Sequence, residues 1–307
     1  MLKDKIKNAN SGILMYGLTP PKANNTKQKI EEISKTQIDR LKDLDIDALV
    51  LYDIQDESSR TNKKRPFPFI ETLDPCEYAK NYLDKSLNFP VIVYKAVGKY
   101  DKDEFKQWLE KRKNRDFFTV FVGAASRNTK VTINLKEAYE LKKDIAPDIV
   151  LGGIVIPERH LVKNDEHIRV FSKIDNGCEF FISQCVYDLM ASKKFLDDYS
   201  AYAKKYNIKM KPIIFTITPC GSAKTLDFMK WLGIHIPHHL EQRLKNSEDI
   251  LEESMRLSLN IFEILYFYAK GKGIPVGCNV ESVAIRKVEI DASIKMLKQA
   301  RAIMEES

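Results

Sequence analysis

Short apolar runs alternate with longer amphipathic stretches along almost the whole chain, and the number of those runs decides the fold. Eight of them, rich in β-branched and aromatic residues, stand at 13–18, 48–52, 91–94, 117–122, 149–154, 180–183, 212–217 and 275–278. They lack polar alternation, as strands buried on both faces do. Between them helical periodicity marks 27–44, 76–83, 102–113, 135–145, 165–176, 192–206 and 222–232, followed by 249–270 and 290–304. The 249–270 stretch is apolar almost all round, which predicts a helix packed on two sides. This alternation predicts a parallel sheet covered by helices. After the first strand the chain reads Thr19, Pro20, Pro21 where a dinucleotide fold would carry a glycine-rich turn. The predicted class is therefore α/β, with a single (β/α)8 TIM barrel spanning 1–307. Two connections, 53–74 and 157–164, are longer than a connector requires. Both follow the carboxyl end of a strand, where barrels carry their chemistry.

Composition narrows the class of protein. With 44% hydrophobic and 30% charged residues, the 307-residue chain can bury a large core. No segment approaches the roughly 20 apolar residues of a membrane span, and the opening MLKDKIKNAN lacks the apolar stretch of a signal peptide. A cytoplasmic protein without a membrane or nucleic-acid partner is expected. The net charge of +7 is diluted over 50 basic and 43 acidic residues, and Arg60, Lys63, Lys64 and Arg65 form the single dense basic cluster. Cys76, Cys178, Cys185, Cys220 and Cys278 are scattered without a CxxC pair, the pattern of reduced, buried thiols. His235, His238 and His239 crowd together, but near-adjacent residues rarely supply ligand geometry, so no metal is expected.

Several side chains sit where chemistry is expected. His160, in PERH after the fifth strand, can act in catalysis or make a positioning hydrogen bond. Gln184 ends the apolar run FFISQ; burying its amide is costly unless something bonds it, and a ligand with paired donor and acceptor would do so. Lys173 precedes the helix stop Asn176-Gly177, as a cationic helix end or as a group leaning to the barrel mouth. Gly123, Ala124, Ala125, Ser126 and Arg127 close the fourth strand; small residues admit a flat ring or a phosphate, and a plain tight turn explains them equally. Asp53, Asp56 and Glu57 follow the second strand as candidate general acids or as solvated carboxylates.

The segments YGLTPPK, PERH, DEHIRVFSKIDNGCEFFISQCVYD and KTLDFMKWLGIHIP, in this order across the chain, resemble the methylenetetrahydrofolate reductase family. The corresponding family runs read approximately FEFFPP, PEVH, a carboxylate, Lys and Gly before ITQ with an aromatic pair and Asp, and a closing IP. The third segment is the most specific. The resemblance implies a (β/α)8 barrel that binds FAD and, through it, moves hydride from NAD(P)H to 5,10-methylenetetrahydrofolate, giving 5-methyltetrahydrofolate. It implies substrate contacts from Gln184 and Tyr187, and cofactor contacts from His160, Glu166, Lys173 and the Gly123-Ala124 turn.

The departures from the family pattern shape the expected chemistry. The family's catalytic glutamate falls on Gly17, its flavin-binding threonine on Leu51, its strand-three histidine on Val91 and the aromatic before PE on Ile156. Its RGD-like turn reads Gly123-Ala124-Ala125. Weak or no flavin binding is therefore expected, with hydride passing directly from NAD(P)H and an acid supplied by Asp53 or Glu57. Two other readings stand beside this one. One is a non-catalytic folate-binding or regulatory subunit, and the other is a different pterin-dependent one-carbon or methyl-transfer enzyme. A homo-oligomer or a partner subunit is compatible with each.

Overall fold

A computed structural model describes residues 1–124 and 131–306. Its strands are β1 (Leu14–Leu18), β2 (Ala48–Leu51), β3 (Val91–Ala96), β4 (Phe118–Val122), β5 (Val150–Val155), β6 (Cys178–Cys185), β7 (Ile213–Ile217) and β8 (Val276–Glu281). They follow one another in sequence order around a closed barrel. The eight-strand (β/α)8 expectation is met, because each buried apolar run pairs in parallel with the next. Ile92 to Ala96 pair with Phe118 to Val122, and Ile213 to Ile217 with Val276 to Val280.

The chain divides into two compact units, Gly17–Gly152 and Met1–Tyr16 with Gly153–Ser307. In the Gly17–Gly152 unit the helices start where sequence supplies caps. Thr26 accepts from Lys29 N–H at the head of Lys27–Leu41. Capping boxes formed by Asp101 with Glu104 and by Asn134 with Glu137 open Lys102–Glu110 and Leu135–Ile145.

In the other unit, the local geometry shows which side of the sheet faces the helices. A Cβ placed on Gly153 would meet the Phe181 ring at 2.8 Å and Lys173 Cδ at 3.3 Å. Lys173 belongs to the helix Glu166–Asp175, so the Gly153 and Phe181 side is the outer one. Alternation along β6 to β8 then turns Ile182, Ile214, Thr216, Gly277, Asn279 and Glu281 inward. One irregularity matters. Ile182 pairs with Ile214, but Cys185 pairs with Thr216, so β6 carries one extra residue before its end. Ser183 stitches that bulge by accepting from Thr216 N–H at 2.9 Å and donating to the Gln184 carbonyl at 2.7 Å. The bulge returns Cys185 to the inner side and leaves Gln184 at the strand's end.

Some local readings change. The 157–164 connection is mostly a helix, Pro157–Lys163, opened by proline at its first turn and closed by Asn164 at φ 52. Leu2–Asn8 and His238–Lys245 are further short helices that a periodicity window does not catch. The long helix Ile250–Gly271 buries one broad face through Met255, Leu257, Ile261, Phe262 and Leu265, while Phe267 is 43% exposed, so it is not enclosed on two sides. Ala125, Ser126 and Arg127 lie outside the described residues. Among the described residues no helix is long and apolar enough to cross a membrane.

Candidate functional site

In the Gly17–Gly152 unit, the two candidate acids occupy different environments. Asp53, two residues past β2, is 6% exposed. Its Oδ2 accepts from Ala96 N–H at 2.8 Å and its Oδ1 from Lys99 Nζ at 2.7 Å. Both oxygens are thus engaged in joining the ends of β2 and β3. Glu57 lies beside Arg60, 3.1 Å from its guanidinium. Burial pushes the Glu57 carboxyl upward, against the opposing pull of Arg60 and Arg65. Asp56 is held lower by the Ser58 hydroxyl and N–H. The carbonyl of Gly123, just after β4, accepts from Gln55 Nε2 at 3.0 Å, and Ala124 is exposed.

Gly17 shows why a carboxylate is missing there. A Cβ at this position would lie 2.4 Å from the Tyr52 hydroxyl and 2.8 Å from Tyr52 Cε2. The phenol, itself packed edge-on against Tyr94 at 4.9 Å between centroids, fills the space. Gly17→Glu is therefore expected to cost about 1 to 3 kcal/mol through overpacking. In a Tyr52→Ala background the added cost shrinks. Thermal melting of the four proteins checks this, and a Gly17→Glu variant that melts with the parent would show that Tyr52 yields.

In the other unit the three polar residues of the fifth connection find partners within the protein. His160 is fully buried, its Nδ1 accepts from Glu166 N–H at 3.3 Å, and its Nε2 lies 2.7 Å from Asp198 Oδ2. Glu166 is fully buried too, accepting from Ile156 N–H at 3.0 Å and flanked by Arg159 and Arg169. Lys173 Nζ donates to the Ile154 carbonyl, and burial lowers its pKa. His160, His167 and Asp198 are the group of potential metal ligands found among the described residues. The backbone N–H on His160 Nδ1 requires that nitrogen to be unprotonated. The proton then sits on Nε2, donates to Asp198, and blocks the atom a metal would need.

The ends of β6 and β8 carry polar groups of another kind. Gln184 is half-buried, and its Nε2 donates to the Leu232 carbonyl at 3.3 Å. Tyr187 is fully buried and donates from its hydroxyl to the Thr218 carbonyl at 3.0 Å. On the inner side Asn279 Nδ2 donates to Thr216 Oγ1 at 3.2 Å. The Cys185 thiol donates to Glu281 Oε1 at 3.2 Å, and burial keeps that thiol far above its ordinary range. Glu158, in the Pro157–Lys163 helix, is 7% exposed and accepts from Tyr187 N–H at 3.3 Å. Burial pushes its carboxyl up to about 8. Sequence reasoning passed over Glu158, Cys185 and Glu281. The signals were present: a carboxylate inside PERH, a thiol directly after Gln184, and a charged residue ending the last apolar run.

Comparison with known proteins places this arrangement in context. A family model described as methylenetetrahydrofolate reductase matches residues 112–275. A protein from Clostridium thermocellum that binds two copies of 5-methyl-5,6,7,8-tetrahydrofolic acid is 52% identical, with a TM-score of 0.89 over 99% of this chain and 100% of that one. A psychrophilic family 10 endo-β-1,4-xylanase aligns at 10% identity and a TM-score of 0.47 over 95% and 93% of the two chains. A 2,3-dimethylmalate lyase aligns at 14% identity and a TM-score of 0.42 over 76% of each chain. Likeness at those last two levels carries no argument about function. No curated protein matches.

Proposed function

The chain belongs to the methylenetetrahydrofolate reductase family, and from that premise we propose that it binds reduced folates and reduces 5,10-methylenetetrahydrofolate to 5-methyltetrahydrofolate with NAD(P)H. The observation that carries the folate reading is the 52% identity, end to end, with a protein that binds 5-methyltetrahydrofolate. The half-buried amide of Gln184 at the bulged end of β6 is the proposed contact for the pterin carbonyl, with Tyr187 supporting that strand end.

The family's flavin does not fit the residues present. His160, Glu166 and Lys173, the side chains that the resemblance assigns to it, are spent on Asp198, on Ile156 N–H and on the Ile154 carbonyl. Leu51 is apolar and fully buried, and Val91 offers no polar group. The methylene bridge of the substrate opens to an iminium on N5 when N10 takes a proton. Hydride from the nicotinamide C4 then adds to the iminium carbon and leaves the N5-methyl product and NAD(P)+. Of the two candidate acids, Glu57 is the better proton donor, because burial favours its protonated form, whereas both oxygens of Asp53 already accept hydrogen bonds.

A second reading, a folate-binding or regulatory subunit without chemistry, is favoured by Gly17 and by the Tyr52 ring that occupies its neighbourhood. One experiment separates the two. A purified protein without a flavin absorbance band that oxidises NAD(P)H only when methylenetetrahydrofolate is present supports direct reduction. A protein that binds folate and leaves NAD(P)H untouched supports the subunit. Gln184→Ala is expected to weaken binding of 5-methyltetrahydrofolate by about 1 to 3 kcal/mol, the usual cost of leaving a buried polar atom unmatched. Calorimetry checks it, and unchanged affinity in a folded variant removes Gln184 from the site.

A further inference from the structure

The inner side of β6 to β8 carries a carboxylate that no resemblance accounts for. Glu281 is the last residue of β8, two positions beyond Asn279, and therefore shares the inward face on which Asn279 meets Thr216. It is half-buried, at the carboxyl end of the strand, where barrels present their ligand-binding groups. The extra residue in β6 brings Cys185 onto the same face, opposite Thr216, and its thiol donates to Glu281 Oε1 at 3.2 Å. That bond restrains the carboxylate in one direction. Because burial holds Cys185 as the neutral thiol, it stays a donor and does not repel Glu281 as a thiolate would. Glu158, more than nine-tenths buried, also acts electrostatically on Cys185, and its Oε2 has no hydrogen-bond partner among the described residues.

A folate's pterin presents one edge made only of donors, the ring N3–H and the 2-amino group. A restrained carboxylate is the side chain that matches two adjacent donors. Resting on the folate reading above, we propose that Glu281 is the specificity residue that accepts the N3–H and 2-amino edge of the pterin, with Cys185 as its positioning residue. The pair makes the inner end of β6 and β8 selective for 2-amino-4-oxo pterins over ring systems that lack the exocyclic amine.

The test is calorimetric titration of the full chain with 5-methyltetrahydrofolate and with its analogue carrying a methyl group in place of the 2-amino group. The parent is expected to prefer the 2-amino ligand by about tenfold or more, the worth of one charge-assisted hydrogen bond. Glu281→Gln, nearly isosteric, is expected to lose most of that preference, its amide donor now facing a donor. Cys185→Ala is expected to weaken both ligands and keep the preference, because it loosens the carboxylate without removing it. A purely structural role would move both ligands equally in Glu281→Gln as well. If Glu281→Gln retains the parent's preference, the assignment is overturned while the folate reading stands. If the parent binds neither ligand, the folate reading falls and takes the assignment with it. Should Glu281→Gln fail to fold, Glu281→Asp, one methylene shorter, is titrated in its place and must lose preference for the assignment to stand.

Discussion

Asp53→Ala is expected to destabilise the protein by about 3 kcal/mol or more, with Asp53→Asn falling well short of that. The alanine variant strands the Ala96 N–H and leaves the Lys99 ammonium only the Ile54 carbonyl. Removing one partner of a largely buried ion pair costs about 3 to 5 kcal/mol because the other partner is left unpaired. Asparagine keeps an oxygen for Ala96 and loses only the charge toward Lys99, which is 27% exposed and can turn to water. Chemical denaturation of both variants checks the ordering. If instead both variants fold as stably as the parent and both abolish turnover, Asp53 is an acid for the reaction and the structural account of it is wrong.

Glu158 gives the second large effect, through pH. Its folded carboxyl titrates at about 8 against an ordinary value of 4.5, because burial penalises the charged form. A raised folded pKa means that the native state holds the proton which the unfolded chain has released. The contribution is fully present below about pH 4.5, declines as pH rises, and is exhausted above about pH 8. At about 1.4 kcal/mol for each pH unit of that window, the whole loss is on the order of 5 kcal/mol. Glu158→Gln mimics the protonated form at every pH. It should match the parent near pH 4 and exceed its stability by a few kcal/mol near pH 8.5. Taking the difference between the two proteins cancels the titration of all other groups. A difference that is the same at both pH values would mean that Glu158 is ionised in the folded state.

Periodicity carried the architecture because its cause is local: a strand covered on both faces must be apolar along its whole length, and eight such runs can be counted. What periodicity could not convey was the direction of individual polar side chains. His160 was placed next to the strand end by its position in PERH, yet its ring turns into the helix layer, where Asp198 and Glu166 N–H satisfy both nitrogens. Lys173 reaches the end of β5, but from the outer side of the sheet over Gly153. Gln184 was singled out because an amide closing an apolar run is conspicuous. The bulge beside it, which decides that Cys185 and not Gln184 faces inward, leaves no mark in FFISQC. Glu281 depends on the same device, since its partner Cys185 comes from a strand 96 residues away in sequence.

The polar sites therefore divide by what their surroundings do to them. Asp53, His160 and Glu166 hold strand ends and helices together, and their partners are all within the protein. Gln184 and Glu281 stand half-buried at strand ends, where a ligand can compete for them. The central claim is that the second group serves a reduced folate. Titration of the purified chain with 5-methyltetrahydrofolate in a calorimeter tests it most directly. Saturable binding that Gln184→Ala weakens in a still-folded protein is the predicted result, and the absence of any binding heat or displacement by the parent protein at millimolar folate would contradict it.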